Sequence, residues 1–316
     1  ANAIKSKRII ELTSNEAGIV FRKDKTFLLD WMQVYMEAQE SAGKKDGSQI
    51  KIAMRILKDY AGEMVTLDQI DGDFCRGYIT YLLTEYHPKG KDISNYTLHN
   101  YYRALNGALN SAVRKKKMKA NPFNELEKSE KIRKPESMRS YMTIEEVQAL
   151  IDTPMPHEEY EIVKCAYLFS CFCGLRISDI IKLKWNDVFV DRGQYRLAVS
   201  MKKTKEPIYL PLSPEALKWM PERGGKSSED NVFDLPSANT IRMQLKPWAK
   251  AAGISKRFSY HTSRHTFATM MLTLGADLYT VSKLLGHADV KMTQVYAKII
   301  NKKKDEAVNL VNGLFH

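Results

Sequence analysis

Four polar residues near the end of the chain combine a nucleophile with hydrogen-bond donors. They are His261, Arg264, His287 and Tyr296. His261 and Arg264 are three residues apart, so on a helix they share one face. Tyr296 lies nine residues after His287, beyond a break at Gly286. A tyrosine hydroxyl, two imidazoles and a guanidinium can together attack a phosphodiester without a metal ion, so phosphoryl transfer is the chemistry that this set indicates.

Two further cationic residues lie much earlier in the chain. Arg176 follows a Gly-Leu pair at the end of a strongly apolar segment, where a salt bridge to Asp179 or Glu161 is the alternative explanation for it. Lys203 lies where a predicted β-ribbon turns. It is either a solvated lysine or a long side chain that reaches into a groove.

The helix that carries Arg264 is predicted to span residues 262–274, with Thr262 as its N-cap. That start places Arg264 in the first turn, where a helix N-terminus favours an anion. His265 is four residues from His261, and packing is one role open to it.

The first part of the chain is predicted to be a helical domain. Apolar residues recur at helical spacing over 25–39, 49–60 and 73–86, and again after an N-cap at Ser94. The last of these helices is predicted to run to Asn121-Pro122 and to end in a basic run, which is either a solvated face or a phosphate contact. The run consists of Arg114, Lys115, Lys116, Lys117 and Lys119.

The second part is predicted to be mostly helical with one small antiparallel sheet. Residues 121–140 are charged and interrupted by Pro135, so they are interpreted as an interdomain linker. Thr143 and Glu146 form a capping box, and an apolar helix over 159–173 stops at Gly174. The segments YRLAVS and PIYLPL predict the ribbon. Helices are also predicted after Ser213-Pro214 and at 237–251, 277–285 and 289–300.

Charge and composition limit the classes of partner. The net charge is +12, from 20 Lys and Arg against 14 Asp and Glu in residues 1–120 and 29 against 23 in residues 121–316. An excess of +6 in each part suits a protein that grips a polyanion with both domains. No apolar run of about 18 residues predicts a membrane span. The four cysteines lack zinc-site spacing and are interpreted as buried thiols in a reducing cytosol.

The sequence resembles the tyrosine recombinase (phage integrase) family. The segments that carry the resemblance are GLRISDIIKL, KKTKEPIYLPL, SYHTSRHTFAT and LLGHADVKMTQVYAKI, which cover most of the second part. The order Arg, Lys, His-x-x-Arg, Gly-His, Tyr is specific, and each family catalytic position is filled. The helical first part is similar to the family's core-binding domain. A mobile-element integrase is the expectation.

The resemblance implies a mechanism for these residues. Tyr296 would attack the scissile phosphate of duplex DNA and form a 3′-phosphotyrosine. Arg176 and Arg264 would clamp the non-bridging oxygens, and His287 would add a hydrogen bond. Lys203 would protonate the leaving 5′-oxygen and His261 would act as an acid or base near the tyrosine. No metal, ATP or other cofactor is implied.

The resemblance also implies an organisation. Residues 1–24 would be an extension left from an arm-binding domain, 25–120 the core-binding domain, 141–300 the catalytic domain and 301–316 a tail that contacts another protomer. The protein would be a monomer in solution and a homotetramer on two DNA sites, helped by DNA-bending proteins. We expect a bacterial cytoplasmic protein that joins the nucleoid when bound to DNA, without membrane association.

Three other functions fit parts of the sequence. A type IB topoisomerase shares the tyrosine chemistry but exchanges no partners. A non-catalytic DNA-binding regulator explains the charge and the helices but gives no reason for Tyr296 or Lys203. A metal-dependent nuclease would need carboxylate clusters, and the sequence does not suggest them.

Overall fold

A computed structural model describes residues 25–135, 139–200 and 207–297. The chain divides into two compact units, Ala1–Ser137 and Met138–His316. Lys203, the predicted extension 1–24 and the predicted tail 301–316 lie outside the described residues. Among those residues, no helix is both long and apolar enough to cross a membrane.

Four helices build the first unit: α1 (Leu28–Ser41), α2 (Gly47–Ala61), α3 (Gly72–Thr84) and α4 (Asn95–Arg114). Their apolar faces meet in one core, in which Met32, Ala53 and Leu105 are fully buried. The Trp31 indole donates to the Ala108 carbonyl over 2.8 Å and so ties α1 to α4. Ser94 caps α4 as the sequence predicts, since its hydroxyl accepts from the Thr97 amide.

The basic run lies mostly beyond α4 and not at the end of the helix. Lys116 adopts a left-handed conformation with φ of 58°, and the Lys117 amide bonds back to the Ala112 carbonyl. This Schellman closure ends the helix at Arg114, before the predicted stop at Asn121-Pro122. The prediction of a longer helix is therefore wrong. The helix ends early because Lys116 adopts the left-handed conformation that glycine usually takes at such an end.

Part of the predicted linker belongs to the first unit's core. Phe123, Leu126 and Ile132 are almost fully buried among the residues of α1 to α4. The Asn121 side chain donates to the Asn110 side chain over 2.8 Å and fixes this return of the chain. A linker over 121–140 is too long, because these apolar residues favour burial despite the charged residues around them.

The second unit contains eight further helices among the described residues. They are α5 (Ile144–Asp152), α6 (Glu161–Cys173), α7 (Ile177–Ile180), α8 (Pro214–Leu217), α9 (Ala238–Ala251), α10 (Tyr260–Thr273), α11 (Leu278–Leu284) and α12 (Lys291–Ala297). The predicted capping box at Thr143 and Glu146 is present, and α6 ends at Gly174 as predicted. Helix α6 lies at the centre of this unit, because it contacts α8, α9 and α10. Its Cys171 and Cys173 are buried free thiols.

A three-stranded antiparallel sheet completes the second unit. Strands β1 (Val188–Asp191), β2 (Gln194–Ser200) and β3 (Pro207–Pro211) follow in the order β1-β2-β3. Leu197 of β2 pairs with Val188 on one side and Leu210 on the other. The sequence predicts β2 and β3 but misses β1. That strand is four residues long and joins β2 through a turn in which Arg192 and Gly193 both have positive φ, at 52° and 77°.

Helix α10 begins earlier than predicted. Ser259 is its extended N-cap residue and Tyr260 its first helical residue, so a Thr262 cap is wrong. The Tyr260 hydroxyl donates to the Ala166 carbonyl of α6 over 2.6 Å, and this packing draws the extra residues into the helix. The Thr262 hydroxyl donates to the Ser259 carbonyl and lies 2.8 Å from the Tyr167 hydroxyl. Arg264 therefore lies in the second turn.

Candidate active site

The Arg264 guanidinium joins the ends of two helices. Nη1 donates to the Gly174 carbonyl after α6 over 2.7 Å, and Nη2 donates to the Leu285 carbonyl after α11. Carbonyls at helix C-termini have no amide donor within their own helix, so the forked side chain supplies the missing donors. The residue is only 3% exposed. Burial and the nearby Arg176 charge lower the pKa of Arg264 to about 10, which leaves it charged at neutral pH.

Arg176 is the N-cap residue of the short helix α7. Its Nη1 lies 4.0 Å from Oδ2 of Asp179, and that carboxylate is nearly buried. The Arg176 charge also contributes to lowering the pKa values of His261 and His287. Arg176 therefore both pairs with Asp179, as one interpretation of the sequence proposed, and faces the groups around Arg264.

His287 is placed by the sharp end of α11. Gly286 has a φ of 60° and the His287 amide returns to the Ser282 carbonyl, so the chain break expected at Gly286 is a helix C′ turn. His287 Nδ1 lies 2.7 Å from Oγ1 of Thr293, a fully buried residue of α12. Burial first, and then the charges of Arg264 and other guanidiniums, lower the pKa of His287 to about 4.

The Tyr296 hydroxyl is enclosed, since the residue is 1% exposed. Its Oη lies 2.6 Å from Nδ1 of His265 in α10. Nη1 of Arg139, in the segment before α5, donates to the same oxygen over 3.1 Å. The Arg139 guanidinium also lies over the tyrosine ring, with its carbon 5.6 Å from the ring centroid.

The imidazole at the tyrosine oxygen is thus that of His265. The rings of His261 and His265 meet edge to face, with centroids 4.6 Å apart. Burial lowers the pKa of His265 to about 3, with further contributions from His261, Arg139 and Arg264. The pKa of His261 is also lowered, first by burial and then by Arg264. At neutral pH the site therefore holds charged guanidiniums and neutral imidazoles.

The structure places five of the six predicted site residues near one another in the second unit, where Arg264 and Tyr296 are buried and His261 is exposed. These are Arg176, His261, Arg264, His287 and Tyr296. The sixth, Lys203, lies outside the described residues, and the basic run lies in the first unit. In this arrangement a phenol, neutral imidazoles and several guanidiniums can bind a phosphodiester anion and present an oxygen nucleophile to it.

Two contacts of the tyrosine oxygen were not predicted as site features. His265 could have been found from its position one turn after His261, which places both rings on one helix face. Arg139 gives no such signal, because it lies in a charged segment without a motif. Within the described ranges, no three or more His, Cys, Asp and Glu side chains are grouped so that they could hold a metal ion.

Family comparisons match both units. The phage integrase family model matches residues 140–303, and the phage integrase SAM-like domain model matches residues 27–133. A tyrosine recombinase of Pseudothermotoga lettingae is 29% identical over 242 residues, which are 69% of this chain and 82% of that protein. XerD of Halalkalibacterium halodurans is 33% identical over 169 residues, which are 50% of this chain and 56% of XerD. The chain thus spans little more than half the length of some of its relatives.

Solved structures share the fold at low sequence identity. The Tn1549 transposon integrase in complex with circular intermediate DNA has a TM-score of 0.68 at 17% identity, covering 86% of this chain and 94% of that one. A lambda integrase tetramer bound to a Holliday junction has a TM-score of 0.65 at 21% identity, covering 87% and 78%. XerH bound to palindromic difH in a post-cleavage complex has a TM-score of 0.63 at 16% identity, covering 89% and 95%.

Proposed function

Because the chain belongs to the phage integrase family of tyrosine recombinases, we propose that it carries out site-specific recombination of duplex DNA. Tyr296 attacks the scissile phosphate, and a 3′-phosphotyrosine holds the broken strand until a 5′-hydroxyl rejoins it. Since the covalent intermediate conserves the energy of the phosphodiester bond, the reaction needs no ATP.

The residues of the site have distinct roles in this proposal. Arg176 and Arg264 bind the non-bridging oxygens, which carry the charge of the pentacoordinate transition state. His287 donates a further hydrogen bond to that phosphate. Lys203 is the candidate acid for the leaving 5′-oxygen, an assignment that rests on its position in the sequence. His261 completes the set as an acid or base near the tyrosine.

One observation carries the proposal. The buried Tyr296 oxygen lies within hydrogen-bonding distance of both an imidazole and a guanidinium. A tyrosine with only a packing role would not need both an imidazole and a guanidinium at its hydroxyl, because a phenol is neutral at physiological pH.

A covalent-capture assay tests this function. The wild-type protein selects cleavable sequences from a random duplex library, and a nicked copy of the selected site then traps the phosphotyrosine. Tyr296→Phe should abolish the covalent complex and leave DNA affinity unchanged. Tyr279→Phe, at a tyrosine of α11 that is 60% exposed, is the matched control and should cleave normally. A covalent complex formed by Tyr296→Phe would disprove the assignment.

The alternative functions predict different results in these assays. Supercoiled plasmid that is relaxed without any recombinant molecule would indicate a topoisomerase. DNA binding without a covalent complex on any selected duplex would indicate a regulator. For recombination, we expect recombinant products that form in the presence of EDTA.

The first unit is proposed to be the core-binding domain, which grips DNA together with the catalytic unit. Its basic run is exposed and supplies five cations within six residues, which suits contacts to consecutive phosphates. These are Arg114, Lys115, Lys116, Lys117 and Lys119.

Recombination also requires several copies of the chain. The lambda integrase relative was solved as a tetramer on a Holliday junction. We propose the same stoichiometry here, with monomers in solution, four protomers on two duplexes, and residues 301–316 contacting a neighbour. A bacterial cytoplasmic location with nucleoid association on DNA follows from the proposed substrate, and DNA-bending proteins are proposed as accessory partners.

A further inference from the structure

We propose that His265 is a further catalytic residue, whose Nδ1 accepts the Tyr296 hydroxyl proton as the tyrosine oxygen attacks phosphorus, while Arg139 donates to that oxygen. The proposal rests on the proposed function, since it assigns the proton of the same nucleophile. It differs from the assignment by resemblance, which gives this role to His261.

The hydrogen-bond directions follow from the chemistry of the three groups. Arginine has only donors, so Tyr296 Oη must accept from Arg139 at 3.1 Å. The phenol has one proton, and among the described residues the remaining partner of Oη is His265 Nδ1, at 2.6 Å. A proton aimed elsewhere would leave a buried donor unsatisfied, since Tyr296 is 1% exposed. The arrangement that satisfies every group therefore runs from Arg139 to Oη and from the hydroxyl to Nδ1.

The protonation state of His265 agrees with this direction. Burial lowers its pKa to about 3, so the ring is neutral at physiological pH and has one acceptor nitrogen. The charged and titratable groups that face it are His261 and Arg264 of its own helix, together with Arg139 and His287 from other segments. A bound phosphodiester would offset the guanidinium charges among these groups, which raises the basicity of His265 at the moment of attack.

The step is balanced in atoms and electrons. The Tyr296 O–H bond breaks and its electron pair forms the bond from Oη to phosphorus, while the proton passes to His265 Nδ1. The bond from phosphorus to the 5′-oxygen breaks, and that oxygen takes a proton from the acid proposed at Lys203. Return of the proton from His265 to the tyrosine accompanies religation.

The first experiment needs no DNA. Nitrogen-15 NMR of the imidazoles in the wild-type protein, with His265→Asn used to assign the signal, reports which ring nitrogen carries the proton. We expect the Nε2–H tautomer, with Nδ1 unprotonated and shifted by its hydrogen bond. A protonated Nδ1 at neutral pH would overturn the proposal, because that nitrogen could not accept from the tyrosine.

The second experiment measures single-turnover cleavage of the nicked suicide duplex selected by the wild-type protein. Asparagine at 265 keeps a polar group near the Nδ1 position but cannot take a proton. We expect His265→Asn to cleave about 10²-fold or more slowly, with a rate that recovers as pH rises. DNA affinity should not change. His157→Asn, at an exposed histidine of the same unit, is the matched control.

Two chemical substitutions separate this step from protonation of the leaving group. A bridging 5′-phosphorothiolate leaves without an acid, so it should not restore cleavage by His265→Asn. Fluorotyrosine at position 296, whose phenol is more acidic, should restore it in part. Cleavage by His265→Asn at the wild-type rate, or rescue by the phosphorothiolate, would overturn the proposal. Absence of any covalent complex with wild-type protein would instead refute the proposed function, while the tautomer measurement still decides whether Nδ1 of His265 accepts the tyrosine proton.

Discussion

Arg264 illustrates how a single residue type is required by both packing and chemistry. Its two terminal nitrogens bond carbonyls that end two different helices, α6 and α11. The donors not used for these contacts remain available to an anion, because a guanidinium has five N–H groups in a fixed plane. The same side chain therefore shapes the site and keeps donors for the phosphate that we propose it binds.

Replacing Arg264 with lysine should harm both properties. An ammonium group cannot reach both carbonyls at once, so one buried carbonyl loses its partner at a cost of about 1–3 kcal/mol. Cleavage should fall by about 10²-fold or more, as for the loss of an oxyanion donor. Urea denaturation and the suicide-duplex assay measure the two effects. Arg242→Lys, at an exposed arginine of α9, should change neither.

The neutral histidines predict how stability depends on pH. Folding lowers the pKa of His265 from 6.5 to about 3 and that of His287 from 6.5 to about 4. Between these values the unfolded chain binds more protons than the folded one, so the free energy of unfolding decreases as pH falls. The loss begins near pH 6.5 and continues to about pH 4 for His287 and to about pH 3 for His265.

Denaturation at a series of pH values tests this prediction. Each histidine contributes at most about 1.4 kcal/mol per pH unit, and less where solvent screens it. His265→Asn should show a shallower slope than wild type between pH 6.5 and 4. An unchanged slope would mean that His265 is not held neutral by folding.

At the scale of elements, the end of α6 sets the position of the site. Gly174 has a φ of 76°, and an added Cβ would lie 2.6 Å from Cδ1 of Phe267 and 3.1 Å from Leu285. Its carbonyl also accepts from Arg264. The α6 end, α10 and the α11 end thus meet at one glycine, where neither the backbone conformation nor the space permits a side chain.

Gly174→Ala should therefore cost more than backbone strain alone. We expect about 1–2 kcal/mol from the left-handed conformation and a further 1–3 kcal/mol from overpacking. Gly253→Ala is the matched control, with a φ of 73° and no atom within 4 Å of the added Cβ. Equal destabilisation of the two variants by urea would show that the contact with Phe267 is not limiting.

The sequence predicts most elements because local signals agree with the fold. Capping residues such as Ser94 and Asp277 begin helices where expected, and Gly286 ends one. The failures occur where a longer-range contact decides. Packing of Tyr260 on α6 moves the start of α10, and buried Phe123 shortens the linker. Neither contact can be inferred from the residues near it in sequence.

The candidate site is likewise predictable from the sequence only in part. A family pattern identified Tyr296 and the guanidiniums, because their order and spacing are specific. The pattern did not identify which imidazole meets the tyrosine oxygen, since His261 and His265 lie on one helix face and only packing distinguishes them. Arg139 depends wholly on tertiary structure, because it lies 157 positions from its partner.

At the scale of the whole molecule, the net charge of +12 has a measurable consequence. Each phosphate contact releases counterions, so the logarithm of DNA affinity should fall by about 0.9 per contact against the logarithm of salt concentration. The combined change Lys115→Gln, Lys117→Gln and Lys119→Gln should reduce that slope by about 3. Fluorescence anisotropy on the selected duplex measures it.

A paired lysine provides the control for this measurement. Lys58 of α2 forms an ion pair with Glu63, so its charge is already neutralised. Lys58→Gln should leave the salt slope close to that of wild type. A triple variant with an unchanged slope would exclude the basic run from the DNA interface.

The short helix α12 has a further consequence. At seven residues it is too short to be stable by itself, so contacts of Thr293 and Tyr296 with the rest of the unit maintain its helical state. Local unfolding of this one segment would remove the nucleophile while Arg176 and Arg264 keep their places on other elements. Amide hydrogen exchange in α12 should therefore report the fraction of molecules in which Tyr296 is in place for cleavage. A ligand that displaced Thr293 and Tyr296 from their contacts would inhibit strand breakage while DNA stays bound.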